Sequence, residues 1–448
     1  MGEWSYLPNT EKDRTQMLDA LGVATVADLF ADIPDHLRMQ RPYRLDQPAS
    51  ESELMREFRT LGDANVDLDR AVSFLGAGVY DHFIPSVVPA MVSRSEFYTA
   101  YTPYQPEISQ GVLQAIFEYQ TMTAELFGLD VANASVYDGP SALGEGALMA
   151  CTHTKRNKVL VSRSVNPEYR QVLATYAAGQ RMQVAEVPLR DGVTDLAALE
   201  QAITDEVGVV TVAYPNFFGQ IEDVAVIAKL AHNKGALLLV ATYPVALGML
   251  AAPGSLGADI VVADGQSLGN PPAFGGPHLG MMATSKALMR RLPGRIAGET
   301  KDRGGRRGFV LTLQAREQHI RREKASSNIC SNQALNALAA TVYLASIGPV
   351  GLAELARHNY AKAHYAAKRF AQAGAKRVFA APFFNEFVVT LGDQTERVRR
   401  ELQEEGVFFG LPLRADYPEL ADGLLVAVTE VLDKATIDRV AARLEELL

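Results

Sequence analysis

Four short apolar runs alternate with helix-length segments through the middle of this chain, and that alternation limits what it can fold into. The runs are KVLVS (158–162), QVAEV (183–187), VVTVAY (209–214) and ALLLVA (236–241). Between them lie EYRQVLATYAA, LAALEQAI and DVAVIAKLAHNK, which read as helices. Short buried strands alternating with helices form an α/β unit with a mainly parallel sheet. Ligands of such sheets sit beyond the carboxyl ends of the strands. A preceding helix is expected from about 110, where Val112, Ile116 and Phe117 have helical spacing, on to Leu126 and Phe127.

After about residue 330 the pattern changes. Two long helical segments, SNQALNALAATVYLASI and GLAELARHNYAKAHYAAKRFAQA, lead into NEFVVTL, a helix, GLLVAVT and a last helix from Asp433. Three regions follow: an N-terminal helical arm (1–65), a large α/β domain (66–330) and a small C-terminal α+β domain (331–448). In the arm, Ser50 and Glu53 fit a capping box before LMREF, and Gly62 is placed to end that helix. The arm reads as a segment that wraps another surface. A large α/β domain followed by a small α+β domain is the layout of aspartate-aminotransferase-like enzymes.

Those enzymes use an aldehyde cofactor, which needs a lysine to capture it and a carboxylate for its pyridine nitrogen. The segment Gly235–Thr284 has the layout of such a site: a buried strand, a turn, a second strand after Gly257-Ala258-Asp259, then a glycine-rich loop. The chemistry is missing. The first strand ends in Ala241-Thr242, and no lysine occurs between Lys234 and Lys286. This is the pattern of a subunit that supports a site it does not complete alone.

Composition narrows the remaining classes. The 448 residues are 48% hydrophobic and 21% charged, an ordinary globular balance. A net charge of -9 argues against nucleic acid as the main partner. Residues 235–258 carry no charge, but Pro244, Pro253 and several glycines interrupt them, so a buried strand and its turn are expected rather than a membrane span. The N-terminus lacks an apolar signal region, and Cys151 and Cys330 form neither a disulfide framework nor a metal cluster. A reducing cytoplasm is the expected setting.

Several motifs carry both a functional and a plain reading. Tyr137-Asp138-Gly139-Pro140-Ser141 opens an apolar helix whose free N–H groups suit a phosphate, or is an ordinary cap with Ser141 as the capping residue. Asn216, in YPNFFG, is placed to meet a cofactor ring oxygen or to hold a turn, with Gly219 allowing the turn to be tight. The loop EFYTAYTPYQPEISQG presents Tyr98, Tyr101, Tyr104, Gln105 and Glu107 on a backbone stiffened by Pro103 and Pro106. It reaches into a partner's active site or only anchors an interface. Residues 286–324 hold 12 Lys or Arg against Glu299, Asp302, Glu317 and Glu323, a local +8. That stretch meets an acidic partner or is a solvated face. His82, His153 and His278 lack companions at metal-ligand spacing and read as structural, with no metal.

Five segments together carry a family resemblance: AYTPYQPEISQG, YDGPSALGEGA, YPNFFGQIED, FGGPHLG and, most specifically, LTLQAREQHIRREKASSNICSNQAL. They resemble the glycine cleavage system P-proteins, and more narrowly the α subunit (subunit 1) of that family's two-subunit form. The resemblance runs over essentially the whole chain. It implies the fold type I, pyridoxal-phosphate-dependent transferase architecture and an α2β2 assembly. It further implies that the β subunit supplies the cofactor lysine, in a His-Lys-Thr context. The corresponding turn here is Asp264-Gly265-Gln266-Ser267-Leu268-Gly269, with the lysine position near Ser267. The implied reaction converts glycine and oxidised lipoyl-H-protein to CO2 and aminomethylated H-protein, with no nicotinamide.

Within that frame Tyr101, Tyr104, Gln105 and Glu107 are candidates to line the glycine or lipoyl pocket, and Ser326, Ser327 and Asn328 to bind the phosphate of the partner's cofactor. The basic stretch, with Arg306 and Arg307, is a candidate docking face for the H-protein. Two alternatives stay open from sequence: a self-sufficient enzyme using Lys286 or Lys324, and a scaffold that never touches substrate.

Overall fold

The computed structural model describes residues 8–41, 43–325 and 327–448. They form two compact units, Met1–Val66 and Asp67–Leu448. In the first, helix α1 (Glu11–Leu21) opens with a Thr10/Asp13 capping box and ends at Gly22 in the left-handed conformation. Helix α2 (Glu51–Asp63) opens with the expected Ser50/Glu53 box. It runs one residue past Gly62 and is capped at Ala64, so the glycine sits inside the last turn rather than ending the helix. Leu54, Met55, Phe58 and Leu61 recur along α2 at helical spacing, and all four are exposed.

The second unit is built on a seven-stranded sheet. Its strands are β1 (Val131–Ala132), β2 (Lys158–Ser162), β3 (Gln183–Val187), β4 (Val207–Tyr214), β5 (Leu237–Thr242), β6 (Ile260–Asp264) and β7 (Gly280–Thr284). The spatial order is β1-β7-β6-β5-β4-β2-β3. The run from β3 to β6 is parallel, and β7 is antiparallel to both β6 and β1. Both faces are buried, as the apolar runs require: Leu238 and Val240 of β5 join one core, Leu239 and Ala241 the other. The uncharged stretch 235–258 is thus a central strand with its turn.

The covering helices include α3 (Gln110–Phe127), α4 (Gly139–Thr154), α5 (Pro167–Gln180) and α6 (Val224–His232). A hairpin of β8 (Ile296–Lys301) and β9 (Arg307–Thr312) packs Phe309 and Leu311 with Leu113 of α3. Beyond it, the helical run α7 (Ala334–Gln372) is broken at Gly348 (φ 62°, ψ -178°), just before Pro349, which gives the two helices expected from sequence. One half packs Ala337, Ala340 and Tyr343 into the main core. The other packs Ala363, Ala366 and Phe370 into a separate C-terminal core. That core is built on an antiparallel sheet of order β10-β11-β13-β12, from β10 (Lys376–Arg377), β11 (Glu386–Thr390), β12 (Leu411–Pro412) and β13 (Gly423–Ala427). It is flanked by α8 (Thr395–Glu404) and α9 (Lys434–Leu447).

Candidate functional site

The parallel strands β4, β5 and β6 end side by side, with Tyr214 opposite Thr242 and Thr242 opposite Ala263. Beyond them lies a cavity of about 70 Å³, lined among others by Tyr80, Asn166, Tyr169, Thr242, Asp264 and Glu386. This is where a sheet of this kind binds its ligand. At its edge α4 begins. Asp138, not Ser141, caps the helix: the Asp138 carboxylate accepts the Ser141 N–H at 2.8 Å. Asp264, the last residue of β6, accepts the Gly139 N–H at 3.1 Å and the Gln266 N–H at 2.9 Å. Tyr169 closes the same corner, because a Cβ on Gly139 would lie 2.1 Å from its hydroxyl.

Pyridoxal phosphate does not fit these residues. Among the described residues no lysine lines the cavity. Position 267 is a buried serine whose hydroxyl has no hydrogen-bond partner among the described residues. The end of β5 offers Thr242, whose hydroxyl donates to the Tyr214 carbonyl at 2.6 Å, in place of a carboxylate. The helix N-terminus, a natural phosphate site, already holds two of the chain's own carboxylates. Cavities that hold small molecules are typically about 300 Å³ or more. Lys286 is no substitute. It follows Thr284, and Thr284 pairs with Ile260 at the opposite end of β6. It lies in a turn rather than a helix, its N–H donating to Asp130 at 2.8 Å. Lys324 ends an exposed 3-10 turn, Arg322–Lys324.

Asn216 belongs to the strand-to-helix turn. Its amide donates to the Gly192 carbonyl and to Glu222, and its side-chain oxygen accepts the Phe218 and Gln220 N–H groups. Gly219 adopts φ 77° beside it. His82 is also structural, held between Glu430 and Tyr243.

The sequence-nominated residues gather elsewhere. Tyr101 is 84% exposed and Tyr104 46% exposed on the loop before α3. Gln105 and Glu107 are exposed on the same loop. Tyr101 edges a second cavity of about 230 Å³, whose lining includes Phe97, Ile116, Leu335 and Arg295; Gln105 and Glu107 lie outside that lining. Tyr104 is tied down. The Arg295 guanidinium lies over its ring at 5.6 Å and donates to its hydroxyl at 3.1 Å, while His319 packs edge-on at 6.0 Å. The same nitrogen of Arg295 donates to the Cys330 carbonyl at 3.2 Å. Arg295, absent from the sequence candidates, therefore joins the tyrosine loop to the segment that follows Asn328.

That segment splits the nominated trio. Ser327 is buried; its hydroxyl accepts the Ile329 N–H at 3.0 Å and lies near the buried carboxyl of Glu145. Asn328 is exposed, beside a cavity of about 240 Å³ lined by Tyr137, Glu145 and Tyr176. Ser326 lies outside the described residues. Both arginines nominated for docking are matched within the stretch: Arg306 pairs with Asp302 at 2.8 Å and Arg307 with Glu299 at 2.9 Å, and Arg307 stacks on Phe309 at 5.0 Å.

Two buried carboxyls stand out electrostatically. Burial pushes Glu145 up to about 7, against hydrogen bonds from Ser327 and Tyr176. Burial likewise pushes Glu386 up to about 7, although the Ala77 N–H and the Tyr80 hydroxyl each donate to it at 2.7 Å. The folded chain therefore keeps protons that the unfolded chain releases from the ordinary value of 4.5 upward. Their contribution to stability is full below 4.5 and is lost as pH rises to about 7. Denaturation at about pH 5 and about pH 8 is expected to show a smaller difference for Glu386→Gln than for wild type. An unchanged difference refutes the assignment.

The comparisons with known proteins agree with this geometry. A probable glycine dehydrogenase (decarboxylating) subunit 1 of Geobacillus kaustophilus is 57% identical over 434 residues, 97% of each chain. The crystal structure of a glycine decarboxylase (P-protein) of the glycine cleavage system, in inhibitor-bound form, superposes with a TM-score of 0.91 at 47% identity, covering 99% of this chain and 100% of that one. A NifS-like protein shares the fold at 13% identity, with a TM-score of 0.64 over 84% of this chain and 99% of its own. The aminotransferase-like α/β architecture expected from sequence is the one observed. Residues 4–444 match the family model for the glycine cleavage system P-protein, and the chain belongs to that family.

Proposed function

We propose that this chain is one of two unlike subunits of a glycine decarboxylase and that it works on a site whose pyridoxal phosphate is held by the other subunit's lysine, in an α2β2 complex. The net reaction takes glycine and the oxidised lipoyl group of H-protein to CO2, an aminomethyl group on one lipoyl sulfur and a thiol on the other. One observation carries this reading. The carboxyl edge of the sheet, where the cofactor would sit, has no side-chain amine among the described residues and a helix N-terminus filled by Asp138 and Asp264.

This chain's part in the site falls to its exposed loops. Tyr101 and Tyr104 face the partner as rigid hydrogen-bonding surfaces, flanked by Gln105 and Glu107. Asn328 offers an amide to the cofactor phosphate, with Ser326 two residues before it in sequence, while buried Ser327 holds the turn at Asn328 from within by accepting the Ile329 N–H. Lipoyl-H-protein docks from solution. A cytoplasmic setting suits the exposed thiol of Cys330.

The test is reconstitution. The purified chain with pyridoxal phosphate is expected to give no coloured covalent adduct and no glycine–bicarbonate exchange. Co-expression with the lysine-bearing partner is expected to give both. A borohydride-trapped adduct on the isolated chain defeats the proposal.

A further inference from the structure

We propose that Arg295 is a positioning residue that sets the tyrosine loop and the Asn328 segment in one geometry for the partner's site. This rests on the reading above, in which those two loops act in trans. Arg295 sits immediately before β8, and its own carbonyl accepts the Ala134 N–H at 2.8 Å, which fixes it to the edge of the main sheet. Within the basic stretch its neighbours Arg303, Arg306 and Arg307 are exposed, yet the Arg295 side chain is only 10% exposed. A buried guanidinium is costly to desolvate, so its contacts need a reason.

Those contacts converge on the two loops. One terminal nitrogen donates to the Tyr104 hydroxyl at 3.1 Å and to the Cys330 carbonyl at 3.2 Å. The planar group also covers the Tyr104 ring. Glu317 supplies the countercharge at 3.7 Å, too long for a hydrogen bond, and the Arg295 Nε has no such partner among the described residues. The guanidinium's only directed bonds among the described residues therefore go to the loops. The far side of the second loop is clipped independently. The Tyr137 hydroxyl receives the Cys330 and Ser331 N–H groups at 3.3 and 3.5 Å, and Asn332 donates to Ser135 at 2.9 Å. These clips leave the Cys330 carbonyl aimed at Arg295. A lysine keeps the charge facing Glu317 but cannot stack and bond both loops at once.

The experiment uses the complete reconstituted complex with Arg295→Lys, Arg295→Ala, Tyr104→Phe and Asn328→Ala. Arg295→Lys is expected to lower kcat for glycine–bicarbonate exchange about tenfold while KM for glycine moves less than about twofold. Combined with Tyr104→Phe it is expected to cost less than the product of the two single losses, because both remove the same coupling. Added guanidinium is expected to restore activity to Arg295→Ala and not to Tyr104→Phe. If Arg295→Ala does not assemble, Arg295→Lys decides. Wild-type kcat in Arg295→Lys, alongside reduced kcat in Tyr104→Phe or Asn328→Ala, overturns the role of Arg295 and leaves the function standing. Wild-type kcat in both loop variants overturns the trans-acting reading and this inference with it.

Discussion

Gly219→Ala is expected to destabilise the chain by roughly 4 kcal/mol and lower its thermal midpoint by roughly 10 °C. Gly219 ends the turn after β4 with φ 77°, a conformation in which any Cβ is strained. The larger effect is collision. A Cβ there would stand 1.9 Å from the Glu386 carbonyl oxygen and 2.5 Å from its carbon. Both are backbone atoms of β11 and cannot swing aside. The turn is held from each side, since the Gly219 N–H donates to the Asn216 carbonyl at 2.8 Å and the Phe384 N–H donates to the Gly219 carbonyl at 3.0 Å. Relief requires separating the parallel sheet from the C-terminal sheet. Gly179, on α5 with open space around its missing Cβ, is the control, and Gly179→Ala is expected to be neutral or slightly stabilising. A thermal midpoint within about 2 °C of wild type for Gly219→Ala shows that this contact is not tight.

The sequence was most legible where backbone pattern decides. KVLVS and QVAEV are strands over their full expected length, because each short apolar run is bounded by polar residues and a turn. The long C-terminal helical run breaks at Gly348, just before Pro349, which no continuous helix accommodates well. The absence of any lysine between Lys234 and Lys286 is likewise a matter of residue identity, read without the fold.

The site was less legible because its parts come together only in three dimensions. Arg295 belongs to a charge-rich stretch and reads as surface; nothing local distinguishes it from Arg303. Only the position of β8 against α3 and the Cys330 segment buries it. The Asp138 cap has a signal in the sequence. Pro140 is favoured in a helix's first turn, so the capping residue stands before it, at Asp138 rather than Ser141. Glu145 also left a trace, as the lone acid in the apolar segment GEGALMA. Ser327 and Asn328 are neighbours in sequence but differ in exposure, Ser327 buried and Asn328 exposed at the cavity that Glu145 also lines, and side-chain type does not separate them.

That difference yields the functional prediction with the largest expected effect. Asn328→Asp is expected to weaken pyridoxal phosphate binding by the assembled complex on the order of a hundredfold, whereas Asn328→Ala costs about tenfold. The alanine removes one hydrogen bond to an anion. The aspartate removes it and places a carboxylate beside the phosphate, where repulsion at about 4 Å in a largely solvated interface adds roughly 1.4 kcal/mol, a further tenfold. The change is nearly isosteric and the residue is exposed in this chain, so fold and assembly are expected to survive. Ser327→Ala provides the contrast. It removes the hydroxyl near Glu145 without adding charge, so its effect on cofactor affinity is expected to be smaller and to depend on pH near 7, the value to which burial pushes Glu145. Titrating the apo complex with pyridoxal phosphate, followed by absorbance, measures both. Raising ionic strength is expected to recover part of the Asn328→Asp loss and none of the Ser327→Ala loss. Equal affinities for wild type and Asn328→Asp would place Asn328 away from the phosphate and return that role to another part of the complex.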